Sequence, residues 1–319
     1  MRRFPGIVAV LAIILGALVI PVAAQEMTKV RVGDIGIGGT SDHLRVAVGA
    51  GIFRKYGFDV ENLLIESSSV VVQSLIAGDL SFVQIGAAPV VAAVANGAEL
   101  KIIAVPMNRF NFAMVSAPEI KTPQDLKGKI LAISRIGSGD EFVTRETLRW
   151  WNLNPEKDVR LLQVGFTPAR LAALKSGQVH ATLLSPLGAV EAKKIGLNVL
   201  ADLTEMDIEY AHTALVTRSA LIAEKRSFVE RFLQAFVEGV KYFRSHPEEG
   251  IAYLRKFSKL PEDQLKAVYE SIRKSMREEP VPTLGGIQTV IRGLRGEKDR
   301  TLDPNRVIDL SFFKGAVSK

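Results

Sequence analysis

"QSLIAGDLSFVQIGAAPVVAAVANGAELKIIA" (73–104) and "AALKSGQVHATLLSPLGAVEAKKIGLNVLA" (172–201) share one plan. Each runs helix, glycine turn, apolar strand, small-residue turn with proline, helix, glycine, strand. Gly78 falls on Gly177 and Pro89 on Pro186. A doubled unit of this kind predicts two lobes of one architecture, not a single large sheet.

Outward from the overlay the same alternation continues. "KVRVGDIG", "FDVENLLIE", "LSFVQIG" and "LKIIAVPM" read as strands, separated by helices at "SDHLRVAVGAGIFRKYG", "SSVVVQSLIAGD" and "AAPVVAAVANG". A second round follows, with strands "FAMVSAPEI", "KILAIS", "VRLLQVG", "VHATLLS" and "LNVLADL". Its helices are the short "TPQDLKG", capped by Thr122 with Pro123 at its first position, one starting at Gly139, "TPARLAALKSG" and "PLGAVEAKKIG". Short apolar strands alternating with amphipathic helices give an α/β fold with mostly parallel sheets flanked by helices.

After Thr213 the texture changes to one strand and then helices. Phe228, Phe232, Leu233, Phe236, Val240 and Phe243 recur at three- and four-residue steps. This tail, with "PEEGIAYLRKF", "PEDQLKAVYESIRKSM" and "LGGIQTVIRGLRG", is expected to pack the core and carries no chemistry of its own.

The chain's 319 residues, 47% of them hydrophobic, are ample for two packed lobes. "MRRFPG" followed by "IVAVLAIILGALVI" and "PVAAQ" reads as a secretory signal, 1–24, with small residues before Gln25; an uncleaved anchor is the alternative. Cysteine is absent, which excludes disulfides, a thiolate metal site, a cysteine nucleophile and a lipid-carrying cysteine after the signal. A soluble periplasmic protein is expected. Without Arg2 and Arg3, 39 basic residues stand against 34 acidic, a balance of about +5. The bases are dispersed, so nucleic acid is not the expected partner, and an anionic ligand is compatible with the excess.

No catalytic constellation emerges. "GDIGIGGTSDHL" places Ser41 where a dinucleotide loop needs its third glycine. "RIGSGDEF" (135–142) lacks the lysine of a phosphate loop, and Ile136 breaks the spacing of a nucleophile elbow. The four histidines, His43, His180, His212 and His246, lack metal-ligand spacing, so neither metal nor cofactor is expected. His180 reads as a core histidine. His212, near the return between lobes, is a candidate for the cleft.

What remains is a set of strand-to-helix turns built from glycine, alanine, serine and threonine. Ligands of open α/β sheets sit beyond the carboxyl ends of the strands, and two lobes facing one another make a cleft there. Thr40 and Ser41 stand at a helix N-terminus, where they cap the helix or meet an anionic group. Gly38, Gly86, Ala87, Ala88, Gly137 and Gly139 would let a ligand approach the backbone. Ser68, Ser138 and Ser185 would offer hydroxyls, capping being the competing role at Ser68. Asp140 and Glu141 are expected to cap their helix, because its dipole favours acids in the first turn. Arg109, Asn111 and Arg135 would face either cleft or solvent.

Six stretches carry a resemblance over nearly the whole chain: "GAGIFRKYGFDVENLLIESSS", "LIAGDLSFVQIGAAPVV", "KTPQDLKGKILAIS" with its "GSG", "LRWWNLNPEKDVRLLQVG", "LAALKSGQVHATLLSPL" and "LDPNRVIDLSFFK". The chain resembles periplasmic substrate-binding proteins of ABC importers, of the nitrate/sulfonate/taurine type related to thiamine-pyrimidine synthases. The resemblance implies a type II periplasmic-binding-protein fold with lobes 28–112 plus 213–319 and 113–212. It implies a monomer holding a small-molecule ligand at the turns of Thr40, Ser68, Ala87, Ser138 and Ser185, and delivering it to a permease and ATPase at the inner membrane. "LSPLG" replaces the aromatic-rich turn common in sulfonate binders, so Ser185 and Leu187 point to a larger or more apolar ligand. The cysteine-rich motif of the pyrimidine synthases is absent, which counts against that activity. An enzyme using Asp140, Glu141 or His212, and a sensory binding module, are the alternatives.

Overall fold

The computed structural model describes residues 27–65, 67–294 and 301–313; the expected signal, 1–24, lies outside them. Ten strands form two five-stranded sheets. The first holds β1 (Thr28–Asp34), β2 (Phe58–Leu64), β3 (Phe82–Ile85), β4 (Leu100–Arg109) and β10 (Glu209–Arg218), in the order β2-β1-β3-β10-β4. The second holds β5 (Ala113–Ser116), β6 (Lys129–Ile133), β7 (Val159–Gln163), β8 (Ala181–Leu184) and β9 (Asn198–Asp202), in the order β7-β6-β8-β5-β9.

The two orders are the same pattern. In each sheet four strands run parallel and one runs against them, β10 in the first and β5 in the second. Both odd strands directly follow a crossing between the sheets, through 110–112 and 203–208. The sequence overlay is reproduced element by element. Helix α3 (Ser68–Ala77), β3, α4 (Ala87–Ala95) and β4 match α6 (Thr167–Lys175), β8, α7 (Pro186–Lys194) and β9. The sequence boundary at 212/213 falls inside β10, which lies wholly in the first sheet.

One expected helix divides in two, α1 (Asp42–Gly49) and α2 (Ile52–Lys55). Gly51 between them has φ +75°, a left-handed conformation that ends one helical turn and starts another. The helix expected from Gly139 is α5 (Gly139–Trp150), and "TPQDLKG" forms a single 3-10 turn. His180 precedes β8 and is half-buried, and its Nδ1 accepts the Ile130 N–H at 3.3 Å.

The tail is α8 (Ser219–Glu224), α9 (Arg226–Ser245), α10 (Pro247–Arg255), α11 (Glu262–Ser275) and α12 (Leu284–Gly293). Helix α9 buries Phe232, Leu233, Phe236, Val240 and Phe243 against α1 and the first sheet. The Phe232 ring stacks on Phe82 with centroids 3.9 Å apart. Burying one such ring stabilises the fold by about 1.5–3 kcal/mol, which is why this stripe anchors the long helix. A second apolar cluster runs from Val83 and Ile85 of the first sheet to Val115 and Leu131 of the second, so the two sheets share a core.

Candidate functional site: a chamber between the two sheets

A chamber of about 400 Å³ lies where the carboxyl ends of both sheets' strands face each other. Of the sequence-derived candidates, Thr40, Ser68, Gly86, Gly139, Ser185 and His212 line it. They come from five separate turns and from β10, so the fold gathers residues spread over more than 170 positions.

Gly38, Ser41, Ala87, Ala88, Gly137 and Ser138 are placed off the chamber wall, each for a local reason. Gly38 (φ +77°) packs under Leu187 so closely that an added Cβ would lie 2.4 Å from the Leu187 Cβ. Ser41 is fully buried, with no partner for its hydroxyl. Ala87 and Ala88 sit behind Tyr210, whose hydroxyl receives the Ala88 N–H at the start of α4. Gly137 is exposed at φ +80° and donates its N–H to Glu141 Oε2 at 2.6 Å. The Ser138 hydroxyl caps α5, accepting from Glu141 N at 3.4 Å and donating to the Arg135 carbonyl at 2.5 Å. It also bonds to Asp140.

Asp140 and Glu141 do close their own turn, as the helix dipole favours. Asp140 accepts from Ser134 N at 2.7 Å and Ser134 Oγ at 2.5 Å, and Glu141 pairs with Arg145 Nε at 2.9 Å. Asp140 additionally reaches the chamber and holds Arg170. Arg170 Nη1 lies 3.2 Å from Asp140 Oδ2 and also donates to Thr182 Oγ1 and the Leu183 carbonyl. Its Nε has no partner. Burial pushes the Arg170 pKa down, and the Asp140 charge opposes the shift.

His212 is 2% exposed on the chamber wall, and neither ring nitrogen has a partner. Phe112 meets its ring edge-on at 4.7 Å, and Tyr210 at 6.1 Å, which fixes the imidazole plane. Burial pushes its pKa down to about 3, so it is neutral at physiological pH. A neutral imidazole pairs one donor with one acceptor.

Three contacts bridge the chamber directly. Gly139 N donates to Ser68 Oγ at 3.0 Å, joining the starts of α5 and α3. Ser185 Oγ donates to the Ile37 carbonyl at 3.3 Å, while Leu187 N reaches the Gly38 carbonyl at 3.4 Å. Ser185 also caps α7 through Gly188 N at 3.4 Å.

Sequence reasoning missed Phe112, Phe166, Arg170, Tyr210 and Phe257 in the wall. Phe257 follows α10, so the tail does reach the chamber, contrary to its expected role as packing alone. Phe166 stands at the N-cap of α6, directly ahead of its "TP" start, and is 39% exposed there. Arg109 instead pairs with Asp207 at 2.8 Å on the surface. Asn111 is buried against Met107, and Arg135 is exposed beside the chamber, near Ser67 and Ser134.

Residues 42–250 match the family model described as NMT1/THI5 like. The chain belongs to the NMT1/THI5-like family. A binding protein of Brucella abortus is 25% identical over 263 residues, covering 82% of this chain and 81% of the relative. Among solved structures, the periplasmic nitrate-binding protein NrtA from Synechocystis superposes with TM-score 0.72 at 16% identity, covering 91% of this chain and 88% of that one. The alkanesulfonate-binding protein SsuA from Xanthomonas axonopodis, bound to MOPS, gives 0.68 at 20% identity, with 84% and 90% covered. The fold is that of the periplasmic binding proteins, two helix-flanked sheets with the chamber between them.

Proposed function

We propose that this chain is the solute-binding component of an ABC import system. It captures a small organic molecule between two lobes that close on it, and delivers it to a membrane permease served by an ATPase. The lobes are 28–112 plus 209–319 and 113–208, the expected boundary at 212/213 being drawn back to the start of β10. The protein works as a monomer in the periplasm, after removal of 1–24. The observation that carries this reading is the pair of serine bridges across the chamber, Gly139 to Ser68 and Ser185 to Ile37. Hydrogen bonds that join two lobes over a cavity are what a closing clamp makes and an open one lacks.

Binding without chemical transformation is favoured by the state of the chamber's ionisable groups. Asp140 is committed to Arg170 and Ser134, and His212 is too weakly basic to take a proton at neutral pH. The test has two arms. Native mass spectrometry of the purified protein identifies a co-purified molecule, and small-angle scattering compares radii with and without it. A smaller radius with ligand, and loss of uptake when the neighbouring permease is deleted, are expected. Release of an altered molecule, or no compaction with a confirmed ligand, would overturn the reading.

A further inference from the structure

We infer that the chamber takes an uncharged, hydrocarbon-rich organic molecule that offers one hydrogen-bonding group to His212. This rests on the binding-protein reading and names the ligand class of the same site.

Charge is the first ground. Among the described residues, the cation on the chamber wall is Arg170, and Asp140 already matches it at 3.2 Å. Glu191, half-buried on the same wall, is acidic. An anion brought out of water here would find no unmatched cation on the wall, and such a transfer is costly without one. Four of the helix starts, those of α1, α4, α5 and α7, give no relief. Asp42 occupies the first turn of α1 with Gly38 N on its Oδ1 at 3.0 Å. Tyr210 sits at the start of α4, Ser138 with Asp140 and Glu141 at α5, and Ser185 at α7.

Apolar surface is the second ground. Ile35, Ile37, Phe112, Leu183 and Leu187 form much of the wall. Leu64, Phe166 and Phe257 also line it while remaining 47%, 39% and 48% exposed, an unusual outlay of large apolar side chains around one opening. A chamber of this volume and lining suits a ligand of drug-like size.

His212 is the third. A buried polar group without a partner is unfavourable. Arg170 leaves one donor, Nε, unpartnered, but its charge is matched by Asp140; the imidazole of His212 is 2% exposed, unpartnered at both nitrogens, held in plane by Phe112 and set in the chamber wall. A ligand hydroxyl or amide that meets the imidazole removes that penalty, and a bare hydrocarbon leaves it in place.

Calorimetric titration with three naphthalenes of one skeleton separates these grounds: 2-naphthol, 2-methylnaphthalene and 2-naphthalenesulfonate. At neutral pH, 2-naphthol is expected to bind once per chain, about tenfold tighter than either of the others. His212→Leu should erase its advantage over 2-methylnaphthalene, with a melting curve confirming that the variant is folded. His212→Gln should restore part of that advantage. Tighter binding of the sulfonate, or no binding of 2-naphthol, overturns the ligand class while leaving the binding-protein reading standing if taurine or nitrate compacts the chain. An advantage for 2-naphthol that survives His212→Leu also overturns it. Binding of 2-naphthol without compaction supports the ligand class and counts against closing lobes.

Discussion

Gly139 and Ser68 meet across the chamber, the glycine N–H donating to the serine hydroxyl at 3.0 Å. Both stand at helix starts, one on each sheet, so a single hydrogen bond ties together the N-termini of α5 and α3. Ser68 is 1% exposed, which shields the bond from water. The sequence offers Ser68 as a helix cap or a ligand contact, and the structure adds a hydrogen bond to the other sheet's helix α5.

Ser68→Ala leaves the Gly139 N–H without its partner in the closed form only. The closed form should lose about 1–3 kcal/mol. Ligand affinity is expected to fall about tenfold or more, while urea unfolding of the ligand-free protein changes little. Unchanged affinity would remove this bond from the closing mechanism.

Gly38→Ala places a methyl 2.4 Å from the Leu187 Cβ, at a φ of +77° that a side chain resists. Leu187 belongs to the opposite sheet's helix α7, so opening the lobes relieves the clash. Scattering should report a larger radius that ligand fails to reduce, with the circular dichroism of the native fold retained.

His212 stays neutral in the folded chain down to about pH 3, whereas in the unfolded chain it takes a proton near its usual value of 6.5. The unfolded state therefore binds more protons between those limits, and the stability that His212 contributes above pH 6.5 is lost as pH falls towards 3. At pH 5 the loss is about 2 kcal/mol. His43, whose pKa burial also pushes down to about 3, behaves alike and remains in a His212→Phe variant. Urea melts at pH 7.5 and pH 5 should show the variant less acid-sensitive than the parent by about that amount; equal sensitivity would mean the imidazole is solvated.

Asp42 titrates in the opposite sense. Burial raises its pKa to about 7, against the opposing hydrogen bond from Gly38 N and the charge of Arg45. Its folded form holds the proton more tightly than the unfolded chain, so stability falls as pH rises from about 4 to about 7, and the deficit persists above. Asp42→Asn keeps an acceptor for Gly38 and removes the charge. It should stabilise the protein by about 4 kcal/mol at pH 8 and change little at pH 4, as read by thermal melts.

Phe232→Ala removes the ring stacked on Phe82, between α9 and the first sheet. A loss of about 3–5 kcal/mol in urea unfolding is expected for a fully buried phenylalanine. A much smaller loss would mean that the tail helices are loosely attached.

The order of strands and helices was legible because each element carries its own period and punctuation. Glycines 78 and 177 end helices, Pro186 starts one, and apolar steps in "RSFVERFLQAFVEGVKYF" mark the buried face of α9. The overlay of 73–104 on 172–201 anticipates two lobes of one architecture, and the two sheets do share one strand order. The break at Gly51 was less visible, since a glycine within a helical pattern is compatible with either outcome.

By itself, then, the sequence determined two α/β units, their turns of small residues, and an absence of cysteine chemistry. Only the tertiary structure decided which turns open onto the chamber. The Ala87 and Ala88 turn is closed by Tyr210, more than 120 residues later, and Ser138 is absorbed by its own helix cap. Arg170 meets Asp140 across thirty positions, and Phe257 enters from the tail. Caps, periods and turns follow from neighbouring residues. The charge balance and wall of a chamber follow from contacts between distant ones, which leave no local pattern to read.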